Sequence, residues 1–386
     1  MSNTLNLGTD GQWATKDGSL LAYNNESGNY KPLPFDFTRA SSATVVNKAG
    51  LIETVQSGIP RIDFLGNTNG ALLLEPQRTN LFQYSEPTTN EGAASNITYE
   101  SFNWAIGFEN CVKFGDNSVV RYRYGATVPA STEVTLSFFI IMDDLSEPVA
   151  SLLNSSGDFS IVMSGSVSGT LNTNVSMGDN IWKVSQTTTS GVSSLGNNGI
   201  IKYTTQSNKG FRVVGFQAES SASYPTSYIP TQGSTVTRVA ETCSGAGNDQ
   251  VFNSTEGVLE VNISALFNDL TRRAIVISDG TTTNRVFFRY NSVSQQIQFF
   301  VIVGGNAVYA YTETLTDQTD YAVFKLKWSA SDFGLKIDGV EVDAQASGVS
   351  FSANTLTTMN FYENVGVYNF YGNIKYIKVY SGIGNY

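Results

Sequence analysis

Phe324-Lys325-Leu326-Lys327-Trp328, followed by Leu335-Lys336-Ile337-Asp338-Gly339-Val340-Glu341-Val342, decides the fold class of this chain. In the first run the apolar side chains share one face and both lysines the other, the period-two pattern of a half-buried strand. In the second, Asp338-Gly339 separates two short alternating runs. A type I′ turn needs positive φ at both central positions, which Asp-Gly supplies, so the pair predicts a hairpin. Working outward, Gly304-Gly305-Asn306 between Phe299–Val303 and Ala307–Tyr311 predicts another hairpin, and Val120-Arg121-Tyr122-Arg123-Tyr124 separates tyrosines from arginines in the same way. The chain holds 35 Gly, 23 Phe and 19 Tyr, a composition suited to short strands packed face to face. No convincing helical stripe interrupts it. The expected fold class is all-β, with two β-sandwich domains preceded by a small β-rich block and an extended N-terminal arm.

Composition narrows the chemistry. With 386 residues, 41% hydrophobic and only 15% charged, the chain has enough apolar surface for more than one core and is not of the disordered class. Histidine is absent, which excludes a Ser-His-Asp triad, a Cys-His dyad and any histidine-ligated metal. A net charge of −10 argues against a nucleic-acid partner, because phosphate neutralisation needs clustered Lys and Arg. Cys111 and Cys243 are far apart and in no CxxC pattern, so structural zinc, which takes four ligands, is not expected. They fit a reducing folding compartment, with one disulfide left open. Met1-Ser2-Asn3-Thr4-Leu5 lacks the basic and apolar regions of a signal peptide, and runs such as Phe138–Met142 and Phe299–Val303 are far too short for membrane insertion.

Along the chain, residues 1–34 form a polar arm ending in Pro32-Leu33-Pro34. Too poor in apolar side chains to fold alone, this arm is expected to pack on a neighbouring copy or on its own chain, for anchoring or assembly. Residues 35–86 are expected as a small β block, 87–240 as a first sandwich and 241–386 as a second. The boundary is placed at the Ser/Gly-rich link Cys243-Ser244-Gly245-Ala246-Gly247-Asn248.

Dense blocks in the first part resemble structural proteins of tailed bacteriophages. They are Phe37-Thr38-Arg39-Ala40-Ser41-Ser42-Ala43-Thr44, Ile59-Pro60-Arg61-Ile62-Asp63-Phe64, Leu72-Leu73-Leu74-Glu75-Pro76-Gln77-Arg78-Thr79-Asn80-Leu81 with Tyr84-Ser85-Glu86, and Gly215-Phe216-Gln217-Ala218-Glu219 with Tyr224-Pro225-Thr226-Ser227-Tyr228-Ile229-Pro230-Thr231. From about residue 250 the chain resembles a concanavalin A-like, laminin-G-type jelly roll. That resemblance rests on Lys325–Trp328, Gly334–Val340 and Tyr371-Gly372-Asn373-Ile374-Lys375-Tyr376-Ile377-Lys378-Val379-Tyr380. Together the resemblances imply a virion protein of a tail fibre, tail tip or head fibre, made in the host cytoplasm. They mark no ligand residues.

Candidate chemistry is sparse. The carboxylate pairs Asp143-Asp144 and Asp317/Asp320 have the residue types a glycan depolymerase uses, yet both sit beside turn residues, where Asp usually bonds its own backbone. Arg39, Arg61, Glu75, Arg78 and Arg238 lie within the phage-like blocks, where structural ion pairing outweighs ligand binding. Sugar recognition needs flat apolar faces with short amides or carboxylates beside them. Trp104 near Phe102, Asn103 and Phe108, the Tyr122/Tyr124 stripe, and Tyr309 and Tyr311 beyond the Gly-Gly turn offer such faces, against the alternative that each is a core aromatic. Tyr309, Tyr311 and Trp104 are the candidate ligand-binding residues. Asn248-Asp249 and Asp269 are isolated and no DxDxDG run exists, so calcium is left open as a minor alternative, and no other cofactor and no catalytic residue is expected. The expected function is a non-enzymatic virion structural protein, binding a host-surface glycan as a homo-oligomer, plausibly a trimer, beside other virion proteins. A purely architectural part, or a glycan-degrading enzyme, are the rival readings.

Overall fold

A computed structural model describes residues 3–16, 19–24, 29–32, 35–89, 93–115, 120–126, 128–129, 131–152, 156–162, 169–189, 195–364 and 366–386. The chain is all-β, and its sheets form sandwiches, as the alternating runs predict. It divides into two units that are discontinuous in sequence: residues 1–40, 57–76 and 240–386, and residues 41–56 and 77–239.

The first unit pairs an eight-stranded with a five-stranded sheet. In the larger sheet Glu256–Ala265 runs between Ala322–Ser329 and Gly372–Tyr380, antiparallel to both. Leu259, Val261 and Ile263 alternate into a core with Phe324, Leu326 and Trp328, while the opposite face carries the lysines and a buried Glu260 that pairs with Lys325 at 3.1 Å. Gly257 is required there, because a Cβ at that position would lie 2.4 Å from the Trp328 ring. The Asp338-Gly339 hairpin forms as read, with Ile337 opposite Val340 and φ of 49° and 83° at the two turn residues. The smaller sheet runs in the order Asn306–Thr314, Gln296–Val303, Arg285–Tyr290, Arg273–Ser278, Thr358–Asn360. Gly304-Gly305 makes its first turn, with Val303 opposite Asn306.

The strand pairing runs across the expected divisions of the chain. The block 35–86 is not a unit: Arg61–Asp63 and Ala71–Leu74 join the eight-stranded sheet, where Leu74 pairs with Gly372, whereas residues 41–56 and 77–86 belong to the second unit. A stretch this short cannot build a core, so its apolar runs are buried on larger sheets. The arm is not merely extended either. Asn3–Leu7 pairs with the other half of the same Gly372–Tyr380 edge and buries Leu5 and Leu7, and Trp13–Lys16, Ser19–Asn24 and Asn29–Pro32 form a three-stranded sheet. The link at residues 243–248 is also paired. Thr242–Ser244 pairs with Asp36–Thr38, and Ala246 exchanges backbone hydrogen bonds with Met359 at 3.0 and 2.7 Å.

The second unit sets a nine-stranded sheet, centred on Glu133–Met142 between Phe211–Ser220 and Ile181–Thr189, against a five-stranded one. Phe138, Ile140, Phe211 and Val213 from the first meet Phe159, Ile161 and Ile200 from the second. Many polar residues of the phage-like blocks stitch this unit internally. The Asn80 amide donates to the Phe216 and Ile229 carbonyls at 3.0 and 2.9 Å and accepts from the Phe82 and Ala218 N–H groups at 3.1 Å each. Gln217 accepts from Ile229 N–H at 2.7 Å, and Arg238 donates to the Thr226 and Ser227 hydroxyls.

Both cysteines are free and buried, one in each unit. Desolvation, reinforced by the charge of Glu100, pushes the Cys111 thiol up to about 12, and burial raises Cys243 further from its ordinary value. Since the thiolate is the reactive form, a thiol reagent at about pH 8 will label neither cysteine in the native protein and both after denaturation. Leu7→Ala will cost unit one about 2–4 kcal/mol in urea unfolding, because Leu7 fills the core from its position on the edge strand.

Candidate functional site

The outer face of the five-stranded sheet carries the arrangement best suited to a ligand. Alternation sends Ile275, Ile277, Val286, Phe288, Phe299 and Val301 into the core. The opposite face therefore presents, across neighbouring strands, Asn360, Val276, Phe287 and Phe300 in one row, and Thr358, Ser278 and Arg285 in the next. Phe287 and Phe300 stack with centroids 4.9 Å apart and planes 19° from parallel. Arg285 lies over Phe287 at 4.5 Å and Arg289 over Phe300 at 5.2 Å, a cation–π ladder along the sheet. Glu363, from the loop after Thr358–Asn360, closes the ladder. Both its oxygens accept from Arg289 Nη1, at 2.8 and 2.9 Å, and Arg285 Nη1 lies 3.6 Å away. Burial lowers the Arg285 guanidinium, opposed by the charge of Glu363 and assisted by that of Arg289.

Beside this ladder an open cleft of about 410 Å³ has Val276, Ser278, Thr358 and Asn360 on its sheet side. Gly280, Thr281 and Thr282 form one wall, Tyr362, Glu363 and Asn364 another, and Ser244 and Gly245 complete it. Its loops are held from within. Asp279 accepts from Thr281 N–H and hydroxyl at 2.8 and 2.6 Å and from Asn284 at 2.8 Å. Desolvation opposes its ionisation, but these hydrogen bonds outweigh it and keep the carboxyl below the usual range. On the other side Phe361 N–H bonds the Cys243 carbonyl, Phe370 N–H the Phe361 carbonyl, and Gly245 N–H the Asn360 side chain at 3.0 Å. The lining is thus hydroxyls, two amides, one aromatic ring and one carboxylate over a small apolar floor.

None of the sequence candidates lies there, and they are not brought together. Trp104 is 1% exposed in the second unit, edge-on to Phe102 and Phe108 at 5.4 and 6.5 Å, in a turn closed by Trp104 N–H to Phe108 O. Tyr309 is 2% exposed, stacked on Phe333 at 6.0 Å, because it sits opposite Val301 on the core side of its strand. Neither offers a free face to a sugar. Tyr311, two residues on, shares that side, is partly buried, and donates its hydroxyl to Glu313 at 3.0 Å. The Tyr122 and Tyr124 side chains lie outside the described residues.

The carboxylates have turn and ion-pair duties. Asp143 binds Lys113 and Arg212; Asp144 accepts from Ser146 and pairs with Lys209, which together hold its carboxyl at about 2. Asp317 accepts from Thr319 N–H and hydroxyl at 2.8 Å, although it and Asp320 also line an open groove of about 470 Å³ with Glu313 and Asp338. Among the described residues no group of three or more acidic or thiol ligands is placed to hold a metal. Asp269 pairs with Arg273, and Asn248 caps its own turn.

Arg39, Arg61, Glu75 and Glu241 form a buried network in the first unit. Arg61 donates Nε to Glu241 Oε1 at 2.8 Å and Nη2 to Glu75 Oε2 at 2.8 Å, and Arg39 Nη1 reaches Glu241 Oε1 at 2.7 Å. Glu75 N–H completes Glu241 Oε2 at 2.8 Å. Burial works against the Arg61 charge, but the two glutamates outweigh it and raise the guanidinium further above its ordinary value. The cleft residues were missed in the sequence because they come from separate segments. The polar-aromatic run Asn360-Phe361-Tyr362-Glu363-Asn364 was the available signal.

No family model and no curated protein matches this chain. Solved structures give partial overlaps. The CBM40 module of the Ruminococcus gnavus IT-sialidase, solved with α2,3-sialyllactose, overlaps 36% of this chain and 88% of its own at 13% identity and TM-score 0.30. Domains LG4-5 of the mouse laminin α1 chain overlap 77% of this chain and 91% of their own at 12% identity and TM-score 0.27. Sheep galectin-11, in complex with glycerol, overlaps 28% and 80% at 6% identity and TM-score 0.21. Likenesses of this size fix neither a ligand nor a role.

Replacing Glu241 with alanine leaves Arg39 and Arg61 buried without their shared partner, and will cost about 3–5 kcal/mol in the unfolding of the first unit.

Proposed function

We propose that this chain is a non-enzymatic glycan-binding protein of a tailed-phage virion, displayed on a tail or head fibre and attaching to the host surface through the first-unit cleft. The observation that carries the binding part is the cleft itself: short hydroxyl and amide groups over Val276, walled by Tyr362 and Glu363. The virion part is supported by the resemblance of the blocks between residues 37 and 231 to phage structural proteins. Binding without turnover is supported by Glu363, a carboxylate occupied by Arg289, where a glycosidase needs two carboxyl groups about 5–10 Å apart with separate roles. A site of this polarity exchanges water hydrogen bonds for protein ones, so each copy contributes around millimolar affinity, or about 4 kcal/mol. Useful attachment then requires several copies, and a homo-oligomer such as a trimer, held beside other virion proteins, supplies them.

An architectural role fits the second unit, because Asn80, Gln217 and Arg238 spend their polar atoms on internal bonds. The two readings divide on one experiment. Binding of the full chain to host cells and to a glycan array is compared for wild type, Tyr362→Ala, Asn360→Ala and Tyr309→Ala. The first two will lose binding with melting little changed; Tyr309→Ala will lower stability by about 3 kcal/mol and leave the cleft's specificity intact. If the oligomeric wild type binds no cell and no glycan, the attachment reading falls and the architectural one stands.

A further inference from the structure

The cleft's electrostatics select the class of glycan, an inference that rests on the glycan-binding reading above. Glu363 is the charged residue in its lining, and the cations nearest to that carboxylate, Arg285 and Arg289, are both turned to it. Arg289 is further committed to Gln298 through Nε at 2.9 Å. Two acidic groups stand close by. Asp36 has an oxygen 3.8 Å from where a Gly245 Cβ would stand, and Asp279 sits beside Gly280 at the other wall. Arg285 Nε and Nη1 are buried without a hydrogen-bond partner, and Nη1 is ion-paired with Glu363 at 3.6 Å. An arriving carboxylate or sulfate would therefore meet acidic groups and, at Arg285 and Arg289, guanidinia that already have a counter-charge, whereas a sugar hydroxyl can donate to the remaining lone pairs of Glu363.

We propose that Glu363 is a specificity-determining residue that makes the cleft bind uncharged glycans and reject acidic ones, by occupying the two arginines and presenting a carboxylate as hydroxyl acceptor. Removing its charge while keeping its shape inverts this: in Glu363→Gln the guanidinia of Arg285 and Arg289 are left without a counter-charge at the edge of the cleft.

The test is an array of neutral oligosaccharides and of carboxylate-bearing ones, probed with the full-length protein and with E363Q. Wild type is expected on the neutral set, with binding changed less than about twofold between about 0.05 and about 0.5 M NaCl, since no ion pair to the ligand exists to be screened. E363Q is expected to lose about tenfold on the neutral set, as a charge-assisted hydrogen bond is replaced by a neutral one, and to gain salt-sensitive binding to the carboxylate-bearing set. Should E363Q not fold, the wild-type preference and its salt dependence still decide. Wild-type binding to acidic glycans as strong as to neutral ones, or lost at high salt, overturns the role of Glu363 and leaves the glycan reading in place. Binding to neither set overturns both.

Discussion

The architecture of the first unit depends on a balanced knot of buried charge. Arg39, Arg61, Glu75 and Glu241 stand next to the places where the chain leaves that unit and returns to it, after residues 40, 56, 76 and 239. The first segment brings Arg39, the second Arg61 and Glu75, and the third Glu241, and no member is tolerable alone, because an unpaired charge at this burial costs several kcal/mol. Ser57 and Gly58 add hydrogen bonds to the Arg39 carbonyl at 2.9 Å, fixing the second return beside the first exit. Well-packed apolar residues would stabilise the same volume as effectively. What the charges add is a direct tie between the three segments, since Glu241 is shared by Arg39 and Arg61 and Arg61 also holds Glu75.

The same three segments build a sheet that is discontinuous in sequence. Gly372–Tyr380 receives Ala71–Leu74 along one half of its edge and Asn3–Leu7 along the other, so segments from opposite ends of the sequence complete one layer. Once the layer is closed, Leu5, Leu7, Leu72 and Leu74 cover the core that Ile374, Ile377 and Val379 would otherwise leave open. The same layer also buries an edge that would invite pairing with another chain.

The sequence disclosed those features whose cause is local. Lys325–Trp328 alternates because one face is wet, and Asp338-Gly339 turns because both positions need positive φ; neither depends on the rest of the molecule. The membership of Leu72-Leu73-Leu74 did not show, since all three are buried and a fully buried run has no period to reveal which sheet it joins. Tyr309 and Tyr311 illustrate a different limit. Their alternation is plain, but which face is core is set by the pairing with Phe299 and Val301, a cross-strand fact invisible in one strand alone. The cleft was the least legible part, because Ser, Thr, Asn and Gly lining a site are the same residues that make turns. Thr281 does both, donating to Asp279 while it walls the cleft.

The ladder on the outer sheet face explains why so polar a cleft can have a fixed shape. Phe287 and Phe300 are held by the strands, Arg285 and Arg289 are held by the rings, and Glu363 is held by the arginines, so order passes from the sheet to the loop at residues 361–364. The loop is also pinned to the chain at both ends, at Cys243 and, through Tyr368 O, at Ala274. Polar ligands gain little on leaving water, so a site that also had to freeze its own loops would return no net affinity. Here the ordering cost has already been met in folding, by stacking and ion pairing that involve no ligand. The arginine ladder is thus a scaffold element that fixes the side chains lining the cleft.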